Sequence, residues 1–202
     1  MTKVPYLARL VATIAVIVVA GLAAPRARAD VVAGLRAYQD GDYATAYAEF
    51  SAAADQPEAQ YNLGLLYYFG LGTEQNFAAA REAFTSAALA DFGDAQFMLG
   101  AMHERGEGAA PSLALAQLWY ELAAATGHVE AQYRAGVLGA HADPVADQVR
   151  GLVWVMLASA HGHPDAQANI AALTQGLTAE DVATVSEVVA VLEARQGAAT
   201  VP

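Results

Sequence analysis

The residues of this 202-residue chain best suited to metal or acid–base chemistry are its five histidines. Two of them stand in the run His161-Gly162-His163, which Asp165 follows, and imidazoles with a carboxylate can hold a metal ion. The spacing differs from that of a helical zinc site, and the chain contains no cysteine. The sequence favours the alternative interpretation, in which these histidines are solvent-facing turn residues. We therefore predict no metal and no other cofactor.

A second candidate is the polar cluster formed by Glu104, Arg105 and Glu107. A catalytic carboxyl pair needs a desolvated cleft that separates two pKa values, and nothing in this stretch indicates one. The cluster is interpreted as a solvated helix end. The chain also has no Gly-x-Ser-x-Gly motif and no phosphate-binding loop. We predict that the protein is not an enzyme.

The elements that position these residues form a repeat marked by the dipeptide Ala-Gln. The dipeptide stands at residues 59–60, 95–96, 131–132 and 166–167, each time after an acid. A glycine follows at the same register in the first three units, as Gly64, Gly100 and Gly136. Glycine in mid-helix costs about 1 kcal/mol relative to alanine, so its recurrence predicts close helix approach.

Each unit has the apolar period of two helices. In the first unit the apolar stripes are Ala59, Leu63, Leu66 and Tyr67, then Phe77, Ala80, Phe84, Ala87 and Ala88. The paired glycines between the stripes, Gly70 and Gly72, tolerate positive φ and predict a sharp turn. Neither helix can bury its stripe alone, so we predict a right-handed all-α solenoid of about five stacked antiparallel helix pairs over residues 30–196.

These motifs resemble the Sel1-like repeat (SLR) family, a relative of tetratricopeptide repeats. The resemblance lies in residues 58–72, with Leu63-Gly64, Tyr67 and the glycine pair, and continues through about residue 164. It implies a scaffold for protein–protein or protein–peptide contacts. Some secreted relatives are linked to β-lactam binding or cell-wall chemistry, which leaves an enzyme as the alternative. Those relatives are rich in cysteine, which this chain lacks.

The first 29 residues have the pattern of a secretory signal peptide. Lys3 and Arg9 precede an apolar run over residues 10–24, and Ala27-Arg28-Ala29 ends the segment. We predict cleavage after Ala29 and a periplasmic or secreted protein. The alternative, a retained membrane anchor, is disfavoured because the run is shorter than the roughly 20 residues that span a bilayer.

The charge beyond residue 29 is strongly acidic, with six arginines against 21 carboxylates, a formal charge of −15. Such a surface repels phosphates, so we predict no nucleic-acid partner and no stable membrane insertion after cleavage. We expect a monomer. The predicted organisation is a signal peptide (1–29), a tetratricopeptide-like capping pair (30–57), three repeats (58–164), a degenerate repeat with a capping helix (165–196) and a tail (197–202).

A binding surface remains as the candidate site. Trp119 and Trp154 share one register and could stack on a ligand, but aromatic residues at helical spacing are interpreted as core. The first helix of each pair is expected to line the inner face of the solenoid. Positions off the predicted core stripes of these helices are Asn62, Tyr68, Phe69, Met98, Glu104, Arg105, Arg134, His141 and Asn169. We predict that they form a partner-binding groove centred on Tyr68 and Phe69, with the packing of these two rings on the next pair left open.

Overall fold

The computed structural model describes residues 31–140, 145–175 and 177–199, which form ten α-helices and no β-strand. The helices α1 to α10 are Val31–Gln39, Tyr43–Ala52, Pro57–Phe69, Phe77–Ala88, Gly93–Arg105, Leu113–Ala125, Val129–Ala140, Val145–Ala160, Ala166–Leu173 and Ala179–Ala199. The all-helical prediction is confirmed. The predicted signal peptide and His141 lie outside the described residues.

Helices that follow one another in sequence pack against one another from α1 through α9, so the chain stacks as a solenoid. The stack ends differently, because α9 and α10 both pack on α8. Leu152 and Leu157 of α8 are buried with Val185 and Val189 of α10. The final helix therefore covers α8 and closes the apolar core at this end.

The predicted stripes of the first repeat are the core in the structure. Ala59, Leu63 and Leu66 are buried in α3, and Phe84 is fully buried in α4. Alanine supplies most of the remaining core, which lets the helices approach closely. Trp119 and Trp154 are partly buried against the cores of adjacent pairs, in agreement with their core interpretation.

The turn between α3 and α4 requires its two glycines. Gly70 ends α3 with φ 68°, and Gly72 follows with φ 69°, the left-handed region that side chains disfavour. A Cβ at Gly72 would also lie 2.6 Å from the carbonyl oxygen of Tyr43 in the preceding pair. The turn is therefore shaped both by backbone conformation and by contact between pairs.

The last helix begins at a capping box. The Asp181 N–H donates to Thr178 Oγ1 at 3.1 Å, and the Thr178 N–H donates to Asp181 Oδ2 at 3.0 Å. The sequence spacing of Val182, Val185, Val188, Val189 and Leu192 predicts one apolar stripe on this helix, but Val188 is exposed, whereas Val185 and Val189 are buried. The helix extends through Ala199 and so includes the first residues of the predicted tail, which begins at residue 197.

None of the described helices is both long enough and apolar enough to cross a membrane.

Candidate partner-binding surface

Tyr68, at the end of α3, bridges two repeats. Its ring packs edge-on against Phe77 of α4, with ring centres 5.3 Å apart. Its hydroxyl donates to both carboxylate oxygens of Glu107, at 3.1 and 3.0 Å, and accepts from Arg105 Nη2 at 3.0 Å. Glu107 follows α5, so this side chain ties the first repeat to the second.

Arg105 and Glu107 form a two-pronged ion pair beside that hydroxyl. Arg105 Nε donates to Glu107 Oε1 at 2.9 Å, and Nη2 donates to Oε2 at 3.0 Å. Burial and the hydrogen bond to Glu107 raise the pKa of the Tyr68 hydroxyl, against the opposing effect of Arg105. The hydrogen bond to Glu107 raises the pKa of the Arg105 guanidinium. At neutral pH the Arg105 guanidinium is therefore charged and the Tyr68 hydroxyl keeps its proton.

Phe69 is the exposed member of this surface. Its side chain is 57% exposed, although its ring packs edge-on against Tyr68 with centres 4.9 Å apart. We define the Tyr68 patch as Tyr68, Phe69, Arg105 and Glu107. It joins an exposed apolar ring to a fixed ion pair across two repeats. The alternative left open in the sequence holds in part for Tyr68, whose hydroxyl contacts Glu107 and Arg105 of the next repeat, and not for Phe69.

The prediction that Asn62 and Met98 lie off the core is wrong for Asn62 and holds only in part for Met98. Asn62 is buried, and its amide donates to the Glu58 carbonyl at 2.7 Å, which satisfies it inside the helix. Met98 is partly buried against the core of the second repeat. Position three after the Ala-Gln alanine is therefore buried or partly buried in these two units.

The other predicted groove residues do not join the Tyr68 patch. Glu104 accepts from the Tyr120 hydroxyl at 2.7 Å, so the helix end that was predicted to be solvated also supports a buried ring. Burial, followed by this hydrogen bond, raises the pKa of Tyr120. Arg134 pairs with Glu130 at 3.0 Å, and the Asn169 amide donates to the Tyr133 hydroxyl at 2.7 Å. Glu104, Arg134 and Asn169 lie on α5, α7 and α9, the first helices of later pairs.

His163 is a buried link between repeats and not the solvent-facing turn residue that the sequence predicts. Its ring stacks on Tyr133 with centres 4.1 Å apart. Nδ1 accepts from the Asp165 N–H at 3.2 Å, so the proton of the neutral ring lies on Nε2, which donates to Glu130 Oε2 at 2.9 Å. The imidazole thus caps the start of α9 and holds the preceding repeat.

The same link occurs one repeat earlier. His128 stacks on Phe97 with centres 4.6 Å apart, and its Nδ1 accepts from the Ala131 N–H at 3.1 Å. Its Nε2 lies 3.6 Å from Asp94 Oδ1, the acid that precedes the second Ala-Gln. Comparing the turn register with the register two residues after each Ala-Gln alanine would have paired these rings from the sequence.

The histidines do not assemble a metal site within the described residues, where no three potential ligands among His, Cys, Asp and Glu lie together. His161 instead lies 2.9 Å from Gln132 through Nδ1 and Oε1. Gln132 is fully buried and donates to the Ala124 carbonyl at 3.3 Å. Hydrogen bonds between repeats therefore account for His161 and His163.

Glu130 gives this link a testable dependence on pH. Burial alone would raise the pKa of this carboxyl, but hydrogen bonds from His163 and Arg134 outweigh it and lower the pKa. The ionised carboxylate therefore stabilises the fold above the unfolded-state value of about 4.3. That contribution is lost as the pH falls through the lower, folded-state pKa.

Glu130→Gln is expected to lose less stability on acidification than the wild type, because glutamine does not titrate. The measurement is the urea midpoint at about pH 5 and about pH 3, on either side of the unfolded carboxyl value. Arg134→Gln keeps the carboxyl and removes one of the two groups that lower its pKa, so its loss should fall between the two. An equal loss in all three proteins would contradict the role of Glu130.

Comparison with known proteins agrees with this geometry. Residues 57–92 and 93–128 each match the Sel1 repeat family model. These segments are the first two of the three repeats predicted from the sequence. No curated protein matches the chain.

Two solved structures share the fold. A Sel1 repeat protein from Oxalobacter formigenes matches with a TM-score of 0.66 and 31% identity, over 73% of this chain and 62% of that one. A protective antigen of uropathogenic Escherichia coli strains, which displays an SLR fold, matches with a TM-score of 0.67 and 26% identity, over 83% of this chain and 38% of that one. The chain thus spans less than two thirds of either relative. Its fold is that of a Sel1-like repeat solenoid.

Proposed function

We propose that this protein is a non-catalytic, extracytoplasmic repeat scaffold that binds a protein or peptide segment at the Tyr68 patch. The observation that carries the proposal is the exposure of Phe69, at 57%, beside the Tyr68 side chain, which Phe77, Arg105 and Glu107 hold from two repeats. Sel1 repeats are typical of scaffolds for protein contacts, so a surface of this kind fits the fold. In this proposal the protein acts only by binding, through the shape and chemistry of its surface.

The composition of the patch suits a protein partner. Interfaces are enriched in aromatic residues and arginine, and their strongest contacts lie in well-packed places surrounded by groups that exclude water. Phe69 offers apolar area, while Tyr68 and the Arg105–Glu107 pair are already ordered. Ordered groups lose little conformational entropy on binding. A partner would therefore meet an apolar anchor with a polar rim.

The extracytoplasmic part of the proposal rests on the leader-like segment over residues 1–29. N-terminal sequencing of the protein isolated from the envelope or medium of the producing cell tests it. A mature chain that begins at Asp30 supports the proposal. A cytoplasmic chain that retains Met1 or Thr2 would overturn this part and leave the binding surface to be tested separately.

The binding surface is tested by placing a photoreactive amino acid at position 69 in the producing cell. Position 89 is the matched control, because Leu89 is also a large apolar side chain and is 76% exposed, but it ends α4 outside the patch. One discrete cross-linked protein or peptide at position 69 and not at position 89 is expected. Equal cross-linking at both positions, or none at position 69, would overturn the proposal.

Phe69→Ala is expected to weaken binding of the cross-linked partner at least tenfold, since a true anchor residue contributes about 2 kcal/mol or more. Its melting temperature should change little, because the ring is mainly exposed. Titration calorimetry with purified partner gives the dissociation constants, and Leu89→Ala should bind as the wild type does. Binding that survives Phe69→Ala unchanged would place the anchor elsewhere.

Tyr68→Ala is a poor test of the same surface. The side chain packs on Phe77 and bonds Glu107, so its loss would disturb the contact between repeats as well as the patch. Phe69 separates binding from folding, and Tyr68 does not.

A further inference from the structure

The outward side of α6 carries exposed leucines at coiled-coil spacing. Leu115, Leu118 and Leu122 are 42%, 50% and 42% exposed and stand at i, i+3 and i+7, and Ala125 continues the series at i+10. We call these four residues the leucine seam. The spacing is that of the a and d positions that pack one helix against another.

The repeat itself does not require leucine at these positions. One repeat earlier, the equivalent residues of α4 are Ala79, Glu82 and Ser86, a mixed and mainly polar set. The chain therefore folds its second helix into the stack with or without an apolar outward face. Of α4 and α6, only α6 carries an apolar seam.

The equivalent face one repeat later is covered by a helix. Val153 and Leu157 of α8 correspond to Leu118 and Leu122, and both pack in the cluster that Val185 and Val189 of α10 complete. At this register the fold thus already accepts a helix with an apolar stripe. On α6, the described part of the chain leaves the same positions open to solvent.

The charge of α6 suits a second copy of the chain. Between residues 113 and 125 the sole acidic or basic residue is Glu121, and it pairs with Arg150 of α8 at 3.1 Å. Two copies of a chain with a formal charge of −15 beyond residue 29 repel each other at most approaches. At the seam the facing surfaces are apolar, and their one carboxylate is compensated.

We propose that a second copy of this chain docks on the leucine seam, with α6 antiparallel to its counterpart around a two-fold axis near Leu118. In that arrangement Leu115 of one protomer faces Leu122 of the other, and the antiparallel helix dipoles oppose each other favourably. The seam is short compared with the roughly 800 Å² per partner of a standard interface. The dimer is therefore weak, and the protein departs from the predicted monomer only at high concentration.

Sedimentation velocity of the protein purified from the cells that produce it tests this association. The wild type should show a reversible dimer with a dissociation constant on the order of tens of micromolar, as a small apolar interface implies. Leu118→Glu should weaken it at least tenfold, because two carboxylates then meet at the axis. Leu89→Glu adds the same charge to another exposed leucine and should leave the dimer intact.

A mixture of Leu118→Glu and Leu118→Lys distinguishes a two-fold contact from other occupants. Each variant alone should be monomeric, and the mixture should recover a heterodimer because position 118 faces its own copy. Melting curves by circular dichroism should show that both variants fold. A wild type that stays monomeric to about a millimolar concentration, the weak limit of specific association, would overturn the proposal. A dimer that survives Leu118→Glu, or a mixture that stays monomeric, would overturn it as well.

Discussion

Replacing Gly151 by alanine is expected to lower the free energy of unfolding by about 3 kcal/mol or more. Gly151 lies where α8 crosses α7, and a Cβ there would stand 2.5 Å from the Ala140 nitrogen and 2.7 Å from the Gly136 carbonyl oxygen. All three nearest atoms belong to backbone, which no rotamer change can move away. The roughly 1 kcal/mol that alanine normally adds to a helix is much smaller than this cost.

Urea unfolding followed by circular dichroism measures the change. Ser86→Ala is the control, since Ser86 is an exposed residue of α4 and its replacement should alter stability by less than about 0.5 kcal/mol. A Gly151→Ala protein as stable as the wild type would show that α7 and α8 can separate without loss. It would remove the packing explanation for glycine at this crossing.

Replacing Phe84 by alanine is expected to cost about 3–5 kcal/mol, the range for a large aromatic residue lost from a packed core. Phe84 is fully buried, and its ring lies 5.8 Å from that of Tyr61, centre to centre. The ring also covers Gly64, because a Cβ on that glycine would stand 2.5 Å from two of its carbon atoms. The cavity left by Phe84→Ala therefore opens directly over α3.

A double-mutant cycle with Gly64→Ala tests that contact. Gly64→Ala alone should destabilise the wild type, because its methyl group meets the Phe84 ring. In the Phe84→Ala background the same change should be neutral or stabilising by up to about 1 kcal/mol, the helix preference for alanine over glycine. If Gly64→Ala costs the same stability in the wild type and in the Phe84→Ala background, the pairing of Gly64 with Phe84 is contradicted.

The glycines at the helix crossings differ in what they approach, and this difference sets the cost of replacing them. Gly64 and Gly100 meet aromatic rings, of Phe84 and Tyr120, whereas the three nearest atoms to a Cβ at Gly151 are all backbone atoms of α7. A ring can be exchanged for a smaller side chain, and a backbone cannot. We therefore expect the contact between α7 and α8 to tolerate substitution least.

The helical fold was predictable because its signals are local and repeated. Ala59, Leu63 and Leu66 share a helical period, and the paired glycines end α3 with the positive φ that they permit. The mid-helix glycine was predicted from its register alone, since a repeated cost implies a repeated contact. These features depend on residues within one turn or one unit of each other.

The candidate site was predicted only in part, because helical spacing does not say what a neighbouring unit presents. Asn62 was placed on the surface, but it is buried. Tyr68 and Phe69 are adjacent in sequence, yet Glu107 and Arg105 hold the first, and the second remains exposed. Their partners lie about one repeat away in the chain.

By itself the sequence determined the repeat length, the helices and their turns, and the register at which helices approach. The tertiary structure alone decided that His163 is a buried cap stacked on Tyr133 and that Leu118 is half exposed. The physical reason is that periodicity specifies the direction of a side chain relative to its own helix axis. Burial, charge pairing and stacking depend on the helix that lies opposite, and only the stacked solenoid supplies it.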